Sequence, residues 1–169
     1  MSIRPIVVGA PQTGGIEACE RIDGGATLVW SSYGALREVA EQLDASETLL
    51  VDPADRAACA MAVTHRLQLY GTPHVVVAAA DDATEADAVL AIVDQLLRRI
   101  PPVPVILTGM AREQLRHGLT IGPEPLYLEV RVVDFDQVDV AVAAYRSMAE
   151  ADASDLEPAL AGNRDGPCC

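Results

Sequence analysis

The chain of 169 residues has no lysine, and arginine supplies all 12 of its basic side chains. This absence excludes the reactions that need a lysine side chain. A P-loop uses a lysine on the nucleotide phosphates, pyridoxal enzymes and Schiff-base aldolases use its amine, and kinases use a strand lysine. The chain therefore belongs to none of these classes.

Aromatic residues are also scarce. They make up 4% of the chain, although half of all residues are apolar. The core must therefore be built from Val, Leu, Ile and Ala, which suits β-strands packed under alanine-lined helices. A chain of this length forms one domain of ordinary size and needs no disulfide or metal to stabilise it.

Positive charge is scarce as well, because the formal net charge is −13 and the pI is near 4.4. Nucleic-acid binding depends on clustered positive charge, so nucleic acid is excluded as a partner, and anionic membranes are disfavoured. No apolar run approaches the roughly 20 residues of a membrane span. Cys19 and Cys59 are isolated, and only Cys168 and Cys169 are adjacent, so no disulfide framework is indicated. These features predict a cytoplasmic bacterial protein.

Short apolar runs alternate with helical patterns along residues 1–150. The predicted strands are Pro5–Ala10, Ala26–Ser31, Thr48–Val51, His74–Ala80, Val103–Thr108 and Leu126–Phe135, and the predicted helices include Gly34–Leu43, Pro53–Tyr70, Thr84–Ile100, Ala111–His117 and Gln137–Glu150. Continuously apolar strands are typical of a sheet that is covered on both faces. We therefore predict a three-layer, doubly wound, mostly parallel α/β sheet of flavodoxin-like or Rossmann-like type. Residues 151–169 are predicted to form a polar, flexible tail.

The segment Gly9–Ile16 follows the first predicted strand and contains three glycines. It matches the first half of a P-loop, but Gly15 and Ile16 occupy the places of the lysine and the hydroxyl residue. The spacing of a dinucleotide fingerprint, G-x-G-x-x-G, is also absent. What remains is either a plain turn or a turn whose N–H groups bind an anion. The candidate ligand-binding residues of this turn are Gly9, Gln12, Thr13, Gly14 and Gly15.

Other polar residues follow later strands, where the carboxyl ends of parallel strands share one edge of the sheet. The candidate ligand-binding residues there are Ser31, Ser32 and Thr108, and the candidate metal ligands are Asp52, Asp81 and Asp82. The carboxylates and Thr108 resemble the phosphoacceptor edge of a receiver domain in arrangement only, because that family's acidic pair and lysine are missing. Two carboxylates and water can hold magnesium. The alternative is that these aspartates cap helices.

No nucleophile elbow and no zinc-ligand spacing occurs in the sequence. The leading functional prediction is therefore a non-catalytic or degenerate module that binds a small molecule or a protein partner at the carboxyl edge of the sheet. One alternative is a small magnesium-dependent enzyme acting on a phosphorylated substrate, with Ser31 or Thr108 on the phosphoryl group. Another alternative is a purely structural interaction protein.

A homodimer is also predicted. The strand Leu126–Phe135 alternates between apolar and polar residues, which indicates an edge strand that needs covering. The helix that follows carries an apolar stripe, consisting of Val138, Ala141, Val142, Tyr145 and Met148. We expect this strand and helix to form the contact between two copies of the chain.

Overall fold

A computed structural model describes residues 5–10, 15–22, 26–30, 47–50, 56–121 and 124–161. The strands are β1 (Ile6–Gly9), β2 (Thr27–Trp30), β3 (Glu47–Leu50), β4 (Val76–Ala79), β5 (Val105–Thr108) and β6 (Val130–Val132). The helices are α1 (Gly15–Arg21), α2 (Arg56–Tyr70), α3 (Ala83–Leu97), α4 (Arg112–Thr120) and α5 (Val138–Ala161), and a 3-10 turn covers Phe135–Gln137. The helix predicted over Gly34–Leu43 lies outside the described residues.

The six strands form one sheet in the order β3-β2-β1-β4-β5-β6, and every neighbouring pair is parallel. This arrangement confirms the predicted doubly wound parallel sheet. It also places β6 at an edge, as the alternating pattern of its sequence indicated. The order corresponds to the Rossmann-like possibility, because that fold has two halves that extend in opposite directions from the first strand.

Two apolar cores cover the two faces of the sheet. The larger core packs helices α2, α3 and α4 against one face, and the smaller core packs α1 and α5 against the other. Successive residues of one strand point to opposite faces, so Ile6 and Val8 lie in the larger core while Val7 lies in the smaller one. Each buried aliphatic side chain stabilises the fold by about 1.5–3 kcal/mol.

Helix α2 buries a residue that its apolar pattern does not single out. Its sequence has a stripe at helical spacing that predicts an interior or interface face, made of Ala58, Met61, Ala62, His65 and Leu69, but Met61 and His65 are exposed. Arg66 is buried instead, at 1% exposure. Its Nε donates to Thr27 Oγ1 at 3.3 Å and its Nη1 donates to the Gly71 carbonyl at 2.7 Å. The arginine therefore joins the end of α2 to the start of β2.

Helix α5 packs most of its apolar stripe against its own sheet. Of the residues predicted to face a second copy, those within the smaller core are Val138, Ala141, Val142 and Tyr145, whereas Met148 is exposed. Burial raises the pKa of Tyr145 to about 12, with a further contribution from its hydrogen bond to the Glu129 carboxylate. The stripe is therefore used inside the domain, and a dimer contact can use only the outer residues of this helix.

Helix α5 also continues to Ala161, beyond the end predicted at Glu150. The first part of the predicted tail is therefore helical, and residues 151–155 are all exposed. Within the described residues, no helix has the length and apolar character needed to cross a membrane.

Removal of residues 151–169 tests the domain boundary. We expect the melting temperature to stay nearly unchanged, because side chains that are already exposed contribute little apolar burial. Differential scanning calorimetry of the full chain and of the chain ending at Glu150 makes the comparison. A fall of more than a few degrees would show that this segment packs on the domain.

Candidate functional site

The sheet has a topological switch point between β1 and β4. These strands are neighbours, but the chain moves from β1 toward β2 and β3, and from β4 toward β5 and β6. The connections therefore diverge at the carboxyl ends of β1 and β4 and leave a crevice there, which is where open α/β sheets bind ligands. The residues at these two strand ends are small, namely Gly9, Ala10, Ala79 and Ala80.

Gly9 keeps the two strands close at this crevice. A Cβ at Gly9 would lie 3.1 Å from the Ala79 carbonyl oxygen and 3.2 Å from the Ala79 Cβ. Any side chain here would therefore press on β4 or occupy the crevice. The absence of side-chain bulk leaves the strand ends open to close approach by a ligand.

The loop after β4 is tied to the loop after β5. The Asp81 carboxylate accepts from the Met110 backbone N–H at 3.1 Å, and the Ala80 carbonyl accepts from the Ala111 N–H at 2.9 Å. Gly109 allows this approach because it has a φ of 95° and because a Cβ there would lie 2.2 Å from the Ala80 carbonyl oxygen. This network fixes the carboxyl edge on the β4–β5 side of the crevice.

Asp82 is the N-cap of α3. Its carboxylate accepts from the Glu85 backbone N–H at 2.9 Å, while the Glu85 carboxylate accepts from the Asp81 N–H at the same distance. The helix thus begins at Ala83, one residue before the predicted start. Both aspartates bind backbone donors, and the described residues contain no group of three His, Cys, Asp or Glu side chains that could hold a metal.

Substitution of Asp82 tests this cap. We expect Asp82→Ala to lower the free energy of unfolding by about 1 kcal/mol, because the Glu85 N–H loses its acceptor. Asp82→Asn should retain most of that stability. Urea denaturation of the two variants measures the difference. Equal losses in both would show that the carboxylate charge, and not the cap, stabilises α3.

Thr108 and Arg112 lie at the same edge of the sheet, near Gly109 and on the β5 side of the crevice. Thr108 ends β5, is fully buried, and its hydroxyl has no hydrogen-bond partner in the described part of the chain. Arg112 Nη1 donates to the Gly109 carbonyl at 3.0 Å, and its Nη2 lies 3.4 Å from Asp134 Oδ1. Met110 lies between them in the sequence and is 85% exposed. The β5–β6 part of the edge therefore combines a hydroxyl, a guanidinium and an exposed apolar side chain.

The described candidate residues share one end of the sheet. Gly9, Asp81, Asp82 and Thr108 end strands or follow them, and Gly15 begins α1. The remaining candidates lie outside the described residues, and they are Gln12, Thr13, Gly14, Ser31, Ser32 and Asp52. Sequence reasoning missed Gly109 and Arg112 as organisers of this edge. The Thr-Gly pair that ends β5 was the available signal for a turn with positive φ.

Solved structures similar to this chain are short-chain dehydrogenases and related proteins. A short-chain dehydrogenase from Streptomyces avermitilis matches with a TM-score of 0.47 and 16% identity over 79% of this chain, which spans 65% of that protein. BdcA from E. coli matches with a TM-score of 0.49 and 16% identity, covering 83% of this chain and 87% of that protein. A metagenomic short-chain oxidoreductase in complex with NADP matches with a TM-score of 0.45 and 19% identity, covering 85% and 91%. No protein-family model and no curated protein matches the sequence.

At these identities the likeness shows the fold alone. The leading functional prediction inferred a non-catalytic module from the lack of a recognisable nucleophile, base and orienter in the sequence. Solved proteins of similar fold include a dehydrogenase and an oxidoreductase, which conflicts with that prediction, and it is not carried further.

Proposed function

We propose that this chain is a dinucleotide-binding oxidoreductase that binds NADP(H) or NAD(H) at the carboxyl ends of β1 and β4. The observation that carries this proposal is the strand order β3-β2-β1-β4-β5-β6, with all strands parallel. In this arrangement the crevice at the switch point holds the pyrophosphate, and each half of the sheet holds one mononucleotide.

The residues at the crevice fit such a ligand. Gly9 and the alanines at the strand ends form a floor that a larger side chain would fill. A pyrophosphate on this floor is held by backbone N–H groups of the turn between β1 and α1, so the missing lysine is no obstacle. In this proposal the turn residues that contact it are Gln12, Thr13, Gly14 and Gly15.

The two halves of the sheet receive different parts of the ligand. The adenosine half lies over β1–β3, where Ser31 and Ser32 follow β2. Dinucleotide domains that prefer NAD place an acidic residue about 20 positions after the glycine turn. Serine hydroxyls at this place do not repel a 2′-phosphate, so we expect NADPH to bind more tightly than NADH.

The nicotinamide half then lies over β4–β6. When bound, the nicotinamide supplies or accepts a hydride. The chain's own accessible groups at this end are the guanidinium of Arg112 and the apolar surface of Met110, whereas the hydroxyl of Thr108 is fully buried. These groups suit an organic substrate with a polar oxygen, which the guanidinium orients while Met110 contacts the apolar part.

A fluorescence titration with NADPH and NADH tests the proposal. We expect saturable binding of both, with NADPH tighter, and consumption of NADPH when a panel of aldehydes and ketones is added. Gly14→Asp should weaken NADPH binding by about tenfold or more, because it adds a carboxylate to the turn that holds the pyrophosphate.

Thr72→Asp is the matched control, since Thr72 is exposed between α2 and β4, at the opposite edge of the sheet. It adds the same charge and should leave the NADPH dissociation constant unchanged. Failure of the unaltered chain to bind either dinucleotide at millimolar concentration would reject the proposal. Equal weakening by both variants would show that the added charge acts through the net field and not at the turn.

We also propose that the chain forms a homodimer through the free edge of β6. The support for this proposal is the position of β6 at the edge of the sheet and the exposed side chain of Leu128 just before it. Sedimentation velocity at micromolar concentration tests the association. A monomer there, with Leu128→Lys causing no change in mass, would exclude this contact.

A further inference from the structure

A second cavity lies on the outer side of the larger core, away from the dinucleotide crevice. Its volume is about 570 Å³, which is within the range of small-molecule sites. The helix walls come from the last turns of α3 and α4, including Leu97 and Leu119. Because both helices start at the carboxyl edge of the sheet, their last turns lie toward the amino edge.

The third wall is the segment that precedes β6. The Leu128 N–H donates to the Val103 carbonyl at 3.0 Å, and the Val105 N–H donates to the Glu129 carbonyl at 2.9 Å. These bonds extend the pairing with β5 and hold Leu126 and Tyr127 over the ends of the helices. The cavity is therefore bounded by ordered backbone on three sides.

Gly118 on α4 allows this helix to pack closely against α3. A Cβ at Gly118 would lie 2.3 Å from Leu90 Cδ1 on α3. Leu90 and Leu119 are only partly buried, although both pack against the larger core. Leucine surface that faces a cavity of this size, and is not covered by the domain itself, is typical of a ligand site.

The rim of the cavity carries three charged residues, Asp94, Arg98 and Glu124. Arg98 Nε donates to the Asp94 carboxylate at 3.0 Å, so these two charges compensate each other. Glu124 is exposed and makes no ion pair or hydrogen bond within the described residues. Tyr127 lines the same cavity, and an aromatic side chain and a carboxylate in one cavity favour a cation.

We infer that this cavity binds an amphipathic organic cation, with the ammonium group at Glu124 and Tyr127 and the apolar body against the leucine walls. The charge of the rim decides the class of ligand. The paired Asp94 and Arg98 leave one uncompensated negative charge, so an anion of the same shape is disfavoured. This site is independent of the proposed dinucleotide site.

Isothermal titration calorimetry with three probes of equal chain length tests the inference. The probes are n-octylamine, 1-octanol and octanoate, which have eight carbons each and carry a positive, a neutral and a negative head group. We expect n-octylamine to bind most tightly and octanoate most weakly. Glu124→Gln should weaken the binding of n-octylamine by about three- to tenfold, which is the effect expected from an exposed ion pair with an aromatic contribution. The affinity for 1-octanol should stay unchanged.

Ala91→Trp locates the site, because Ala91 lines the cavity and an indole ring would occupy it. We expect loss of binding of all three probes, with the NADPH titration unaffected. Ala144→Trp is the matched control, since Ala144 is exposed on α5 at the other face of the sheet. It should bind the probes normally, and circular dichroism should show both variants folded.

Three results would overturn the inference. The first is that no probe binds the unaltered chain. The second is equal affinity for n-octylamine and octanoate, which would remove the role of the rim charge. The third is a dimer of the unaltered chain that Ala91→Trp converts to a monomer, which would make the cavity a contact between copies of the chain.

Discussion

Gly109→Ala is expected to lower the free energy of unfolding by about 2 to 5 kcal/mol. A positive φ costs an L-residue about 1–2 kcal/mol, and forcing an atom into a packed contact costs about 1–3 kcal/mol more. Both apply here, because Gly109 has a φ of 95° and a Cβ would lie 2.2 Å from the Ala80 carbonyl oxygen. That atom belongs to the backbone, so no side-chain rotation relieves the contact. Urea denaturation measures the loss.

The same substitution should also affect the proposed ligand site. The turn at Gly109 presents the Met110 N–H to Asp81 and the Ala111 N–H to Ala80. A shift of this turn would separate the loops that follow β4 and β5, and NADPH binding should weaken accordingly. Met110→Ala is the control for stability alone, because it keeps these backbone bonds and removes an exposed side chain. If Gly109→Ala were as stable as Met110→Ala, the turn would be able to adopt another conformation.

The sheet could be predicted from the sequence because the buried strands are apolar apart from a threonine at one end of β2 and one end of β5. Residues 75–80 include three valines followed by three alanines, and a strand of that kind has no polar face to expose. The edge position of β6 followed from the alternation of its side chains. Strand order could not be predicted in the same way, because apolar strands of similar composition are interchangeable in a sequence pattern.

The phase of α2 could not be predicted for a different reason. A helix rich in alanine has a weak apolar periodicity, so one residue of rotation changes little in the pattern. The burial of Arg66 was not foreseen, because one of its acceptors, Thr27 Oγ1, is 39 residues away in the sequence and the other is the backbone carbonyl of Gly71 just past the helix end.

The candidate site depended on similar long-range contacts. The positions of Asp81 and Asp82 after a strand were predictable, and so was a capping role. The hydrogen bond from Met110 to Asp81 could not be predicted, because 29 residues separate the two. Only the pairing of β4 with β5 brings them together. The functional prediction relied on the lack of an assembled catalytic set in the sequence. The dinucleotide site proposed here would use backbone N–H groups and small residues instead, and these leave little trace in composition.

Arg66→Ala is expected to destabilise the fold by about 3–5 kcal/mol. The substitution leaves a cavity where a long side chain was buried, and it removes the donors to Thr27 Oγ1 and the Gly71 carbonyl. Arg66→Met separates these effects, because it keeps most of the volume of the side chain and loses only the donors. We expect it to cost about 1–3 kcal/mol, which is the range for leaving buried polar groups unsatisfied.

Arg116→Ala is the control for this series, since Arg116 is exposed and its nitrogen lies 3.9 Å from Glu113. Its effect should stay within about 0.5 kcal/mol, as is usual for exposed ion pairs. Denaturation in urea gives the free energy of unfolding for all three variants. If Arg66→Met were as stable as the unaltered chain, the desolvation of the guanidinium would cancel its hydrogen bonds. The guanidinium would then fix the position of α2 relative to β2 without adding net stability, and only the packing of the side-chain carbons would stabilise the fold.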